Sequence, residues 1–152
     1  MRADENELLT RTGPEAPMGR LMRQYWIPAL LPGELVAGGA PVRLRLLGEN
    51  FLAFRSPDGE VGVIDHQCAH RCASLFYGRN EDGGMRCVYH GWKFARNGQC
   101  VEMPSEPPET DYSARVKIRA LQVIEKHGVL WVYMGDRAEA PPFPHFDWDE
   151  AE

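Results

Sequence analysis

The chain has 152 residues, 43% of them hydrophobic and 26% charged, and a formal net charge of −5 at pH 7. This is the profile of about one globular domain, long enough to bury a core without disulfides. A nucleic-acid binder is excluded by the absence of any long basic run, and a bilayer span by the absence of an apolar run near the roughly 20 residues required.

The N-terminus, MRADENELLTRTG, is polar and acidic and has no apolar segment of the signal-peptide kind, so a cytoplasmic location is expected. Two short helices are predicted, Glu5 to Thr10 and, after Pro17, Met18 to Gln24. Tyr25 to Leu31 reads as extended and closes at Pro32-Gly33. The period then changes to two, with Val42, Leu44 and Leu46 alternating with Arg43 and Arg45 in a half-buried strand. Phe51 to Arg55 and Glu60 to Asp65 follow, joined by the turn Ser56-Pro57-Asp58-Gly59, and the three strands form an antiparallel meander.

His66 to Gly91 lacks sustained periodicity and reads as two loops on a short connecting region, and a loop this long in a compact domain is usually functional. Trp92 to Ala95 and Gln99 to Val101 flank Arg96-Asn97-Gly98, a hairpin signal. Glu102 to Asp111 carries Pro104, Pro107 and Pro108 and is a loop. Val116 to Glu125 and Val129 to Met134 make a second hairpin around Lys126-His127-Gly128, with a phase slip near Ala120-Leu121 that suggests a bulge. Residues 135–152 are acidic and proline-rich and read as a tail or linker after a domain covering 1–134.

The chemistry concentrates in Cys68-Ala69-His70 and Cys87-Val88-Tyr89-His90. Each segment offers one thiolate and one imidazole. Two Cys and two His in this order are the ligands that a Rieske [2Fe–2S] cluster needs, two thiolates on one iron and two imidazoles on the other. Each segment then serves both irons, and Gly91 permits close backbone approach. A zinc site uses the same donors but usually spaces them as Cys-x2–4-Cys and His-x3–5-His. A Cys–His nucleophile pair leaves half the donors unexplained, and core cysteines with incidental histidines leave the ordered pairing unexplained.

The stretches PMGRLMRQYWIPALLPGEL, DHQCAHRCASLFYGRNEDGGMRCVYHGWKFARNGQCVEMPSEP and VLWVYMG resemble the N-terminal Rieske domain of Rieske non-haem iron oxygenases, of the phthalate 4,5-dioxygenase type. The resemblance implies a mainly β fold: a Rieske-type antiparallel β-sandwich, short N-terminal helices, and a two-loop cluster-binding subdomain at 66–94. It implies that Cys68 and Cys87 hold an inner iron and that His70 and His90 hold an outer one. It implies one-electron transfer from a reductase or ferredoxin to a mononuclear iron in a catalytic domain, in cis or in trans. That iron needs a facial triad of two His and one carboxylate. His66, His127 and His145 do not supply it, so the chain by itself is not expected to oxygenate a substrate. The expected alternatives are a stand-alone Rieske ferredoxin or a zinc-stabilised interaction module without redox function.

The chain departs from the family at Cys72, where glycine is common. Cys72 lacks the loop 2 partner of the respiratory Rieske disulfide and is expected to be a small packed thiol, and Cys100 is expected to be structural. Trp92 and Phe94 stand where respiratory Rieske proteins place a Ser and a Tyr hydroxyl toward the cluster, which implies a potential toward the low end of the Rieske range. Arg71 and Arg86 flank the ligands and are expected to brace the loops. Trp26, Trp131 and Tyr133 are expected in the core, and Tyr89 and Trp92 beside His90 are candidates to shield the cluster.

Overall fold

The computed structural model describes residues 1–147. Its strands are β1 (Trp26–Leu30), β2 (Val42–Leu46), β3 (Glu49–Arg55), β4 (Val61–Asp65), β5 (Arg79–Glu81), β6 (Gly84–Arg86), β7 (Lys93–Phe94), β8 (Cys100–Glu102), β9 (Ala120–Lys126) and β10 (Val129–Tyr133). Two short helices precede them, α1 (Ala3–Thr10) and α2 (Pro17–Met22). The fold is mainly β, and the strand pairs are antiparallel. The chain divides into two units, residues 1–32 together with the chain from Gln122 onward, and Gly33–Leu121.

In the first unit β1 pairs with β10 and β10 with β9. The β9–β10 turn is His127-Gly128, both at positive φ, the conformation whose twist matches a two-residue hairpin. β1 tolerates Pro28 because its register slips between Pro28 and Leu30. α1 starts earlier than its apolar residues suggest, because the Arg2 N–H donates to the Glu5 carboxylate (2.8 Å) and closes the first turn. Residues 135–147 return over the strands. The Trp26 indole N–H donates to the Pro141 carbonyl (2.8 Å), and Phe143 packs against Trp26 and Trp131. Residues 148–152 of the expected tail lie outside the described residues. Tyr133 is buried, whereas Trp26 and Trp131 are half-buried beneath this segment.

The second unit holds the expected meander, β2 on β3 on β4. β3 begins at Glu49, two residues early, because Leu47-Gly48 is a tight turn with both φ positive. The first residues of β9, Ala120 and Leu121, pair with Ile64 and Val63 of β4. The phase slip at Ala120-Leu121 is therefore not a bulge. Val116 accepts from the Cys100 N–H and Ile118 donates to the Gly98 carbonyl, so the slip marks a change of pairing partner.

The region between the two loops needs a larger correction. It contains a hairpin, β5–β6, closed by Asp82-Gly83, which joins β7 and β8 in a four-stranded sheet ordered β5-β6-β7-β8. Three-residue strands are too short to show a period, although Asp-Gly is a hairpin signal. Leu52, Phe54 and Ile64 of the meander, Leu75 and Met85 between the loops, and Phe94 of β7 form one buried core. Each such side chain contributes about 1.5–3 kcal/mol of burial. Cys68 and Cys87 belong to this core, so packing fixes the bases of both loops.

Candidate metal centre

Loop 1 (Cys68–Ala73) leaves the end of β4, and loop 2 (Cys87–Trp92) joins β6 to β7. Their backbones follow one pattern. The Cys68 N–H donates to the Ala73 carbonyl (2.9 Å), and the Cys72 N–H donates back to the Cys68 carbonyl (2.9 Å). In loop 2 the Cys87 N–H donates to the Trp92 carbonyl (2.8 Å), and the Gly91 N–H to the Cys87 carbonyl (3.0 Å). Each loop turns through a left-handed residue at the same place, Cys72 (φ +54) or Gly91 (φ +77). Gly91 is further constrained, because a Cβ there would lie 2.7 Å from Pro104 Cγ.

The repeated turn buries both cysteines, each 2% exposed, and leaves both histidines half-buried. The imidazoles of His70 and His90 stand 4.5 Å apart between ring centroids. Trp92 from loop 2, buried, lies flat on His70 of loop 1 at 4.6 Å and 7°. Its indole N–H donates to Ser105 Oγ (3.2 Å). Tyr89 is exposed, with its ring 4.0 Å from that of His90.

The electrostatics follow from burial. Burial pushes the Cys68 thiol up to about 11; the His70 backbone N–H opposes this, and Cys87 adds to it. Desolvation pulls the His90 imidazole below its ordinary value, with His70 and Arg71 acting in the same direction. A metal that binds these groups must displace the thiol protons. His70 Nδ1 is buried and has no hydrogen-bond partner, which costs about 1–3 kcal/mol if it stays unsatisfied. Among the described residues no three His, Cys, Asp or Glu side chains converge on a single ion position. Two thiols lie together inside and two imidazoles lie together outside, the two-plus-two division that a pair of irons takes.

The flanking residues divide. Arg86 reaches loop 2 and donates to the Gly91 carbonyl (2.7 Å), whereas Arg71 is exposed. Cys100 is buried, as expected. Cys72 is exposed rather than packed, because its left-handed backbone turns it outward at the loop tip, and both thiols are free. His66 contacts the Asn50 carbonyl through Nδ1 (3.1 Å). It borders a cavity of about 410 Å³ with Arg43, Arg45, Phe51 and Phe76, and none of the four candidate ligands lines that cavity.

Comparison with known proteins agrees with this geometry. The Rieske [2Fe–2S] domain family matches residues 25–134. The chain is 56% identical over 143 residues to the oxygenase subunit of 3-chlorobenzoate-3,4-dioxygenase from Comamonas testosteroni, covering 94% of this chain and 33% of that one. It is 47% identical to the phthalate 4,5-dioxygenase oxygenase subunit of Pseudomonas putida, covering 95% and 33%. Among solved structures, dicamba monooxygenase with non-heme iron and dicamba superposes with a TM-score of 0.73 at 33% identity, over 84% of this chain and 38% of that one. The reduced complex of oxygenase and ferredoxin in carbazole 1,9a-dioxygenase gives 0.69 at 30%, over 79% and 30%. The chain thus spans about a third of the length of the curated relatives it matches.

The cofactor of this family is a Rieske-type [2Fe–2S] cluster, and the residues present fit it: two soft thiols, two imidazoles, and a buried Nδ1 with nothing to bond. With its paired loops, its half-buried imidazoles and the match over residues 25–134, the chain belongs to the Rieske [2Fe–2S] domain family, as represented in oxygenase subunits.

Proposed function

We propose that this chain carries single electrons through a cluster held by Cys68 and Cys87 on one iron and by His70 and His90 on the other. The electrons arrive from a reductase or ferredoxin. They leave toward a mononuclear iron in an oxygenase catalytic domain, in cis or in trans, that acts on an aromatic ring or a related substrate. The observation that carries this reading is the matched pair of loops, which bury two cysteines and set two imidazoles 4.5 Å apart.

The relatives support the wider setting. Two of them are named for aromatic acids, 3-chlorobenzoate and phthalate, one structure contains non-heme iron, and another pairs an oxygenase with a ferredoxin. A cytoplasmic setting belongs to the same reading, because free thiols persist in a reducing compartment. Among the described residues no helix is long and apolar enough to cross a membrane.

When bound, the cluster supplies a one-electron carrier at about −150 to +300 mV, above all-cysteine clusters because two imidazoles replace two anionic thiolates. The protein does the rest. The packed bases of the loops keep water from Cys68 and Cys87, and Trp92 holds the His70 ring by stacking. The half-buried histidines bring the centre to the surface, where a partner can approach. Protein purified without oxygen is expected to hold about two iron and two acid-labile sulfide per chain and to give a Rieske absorption and EPR spectrum. One zinc per chain and no sulfide would overturn the reading.

A further inference from the structure

Glu81, Arg86, Lys93 and Glu102 come from four successive strands, β5 to β8, and form one network beside loop 2. The Arg86 side chain is 15% exposed and uses three arms. Nε donates to Glu81 Oε2 (2.7 Å), Nη2 to Glu102 Oε2 (2.5 Å) and Nη1 to the Gly91 carbonyl (2.7 Å). The other oxygen of Glu102 pairs with Lys93, whose ammonium also donates to the Asp82 carbonyl (3.2 Å). Glu81 Oε1 also accepts from the largely exposed Arg79 (2.9 Å), so three cations meet two carboxylates and the group carries one net positive charge. A guanidinium withdrawn from water needs the carboxylates as compensation, since an unpaired buried charge costs several kcal/mol.

A brace for the sheet alone would need only the two carboxylates. The third arm is spent on the loop, on the carbonyl that follows His90, and Arg86 itself directly precedes Cys87. Loop 1 has the same backbone pattern but carries the exposed Arg71. We propose that Arg86 is a positioning residue for loop 2, and that the charge balance of the Glu81–Arg86–Lys93–Glu102 network sets the reduction potential of the bound centre.

The inference rests on the electron-transfer reading above. Adding an electron adds negative charge, so a nearby uncompensated cation favours the reduced centre and an uncompensated carboxylate disfavours it. Arg86→Gln removes one positive charge and leaves the two carboxylates facing only Lys93 and the exposed Arg79. Glu102→Gln removes one negative charge and leaves Arg79, Arg86 and Lys93 with the single carboxylate of Glu81. Arg86 and Lys93 are sheltered while Glu81 and Glu102 are partly exposed, so salt screens the change at Glu102 more than the change at Arg86.

The test is an EPR-monitored redox titration of the anaerobically purified chain and its variants. The midpoint should fall in Arg86→Gln, rise in Glu102→Gln, and return toward the wild-type value in the double variant. Arg86→Lys, which keeps the charge and loses the fork, should lie nearer wild type than Arg86→Gln. Shifts in one direction, or none, in variants that keep the spectrum would overturn the proposal. If Arg86→Gln does not retain the cluster, Glu102→Gln decides alone, and an unchanged or lowered midpoint overturns the proposal. A wild-type chain without a two-iron spectrum would remove the electron-transfer reading itself, an outcome distinct from normal spectra with unshifted midpoints.

Discussion

Cys72 and Gly91 hold the same place in two matching turns. Each donates its backbone N–H back to the carbonyl of the candidate cysteine ligand that opens its loop, at 2.9 and 3.0 Å, and each has a left-handed φ, +54 and +77. A side chain there costs about 1 kcal/mol or more, and loop 1 bears that cost while loop 2 does not. Cys72 is thus a left-handed hinge residue that happens to carry a thiol. Cys72→Gly relieves the strain but loosens the unfolded chain, so denaturant midpoints should show a change of less than about 1 kcal/mol. Cys72→Val should destabilise by about 1–2 kcal/mol, because a β-branched residue fits this φ worst. Both Cys72→Gly and Cys72→Ser should keep the Rieske spectrum, and loss of the spectrum in Cys72→Ser would overturn the ligand assignment.

Cys68→Ser, Cys87→Ser, His70→Ala and His90→Ala should each abolish the Rieske EPR signal and lower iron content. Each removes one of the four donors that the centre requires. Full iron and sulfide in any of the four would move that ligand elsewhere.

Trp92 is 3% exposed and stacks on His70, so its loss should reach loop 1. Trp92→Ala should cost about 3–5 kcal/mol of stability. Trp92→Phe keeps an aromatic ring beneath His70 and loses the bond to Ser105, a change of about 1 kcal/mol. Chemical denaturation of the loaded protein separates the two.

Lys93, and then Arg86, hold the Glu102 carboxyl below its ordinary 4.5. The folded state therefore binds this proton less tightly than the unfolded state. Stability from this group is fully present above the ordinary value and is lost as the pH falls through the folded value. Unfolding midpoints of the wild type should drop more steeply below about pH 5 than those of Glu102→Gln. Parallel curves would mean that the pair contributes nothing to the acid limb.

Trp92 is buried with its N–H directed to Ser105, and the buried Phe94 has no polar atom to offer. Without hydroxyl donors to the cluster sulfurs, the wild-type midpoint should lie toward the low end of the Rieske range, nearer about −150 than +300 mV. A redox titration that placed it near the top would show that donors come from elsewhere.

The sequence revealed what depended on local pattern. The alternation of Val42, Leu44 and Leu46 marked β2, and Lys126-His127-Gly128 marked the last hairpin. The four candidate donors could be named because the spacing that singles them out is chemical and needs no tertiary knowledge. What stayed hidden was long-range. β5 and β6 are three residues each, too short for a period, and only the sheet they join makes them strands. The slip at Ala120 reads as a bulge until the second partner of the strand is known. Arg86 was recognisable as a flanking charge, but its neighbours Glu81, Lys93 and Glu102 come from three other strands. No sequence spacing signals that meeting, nor the stacking of Trp92 on His70 of the other loop.

The Trp92–His70 stack makes each loop a part of the other's scaffold. The imidazole of one loop rests on the indole of the other, so a change that displaces either ring is felt in both loops.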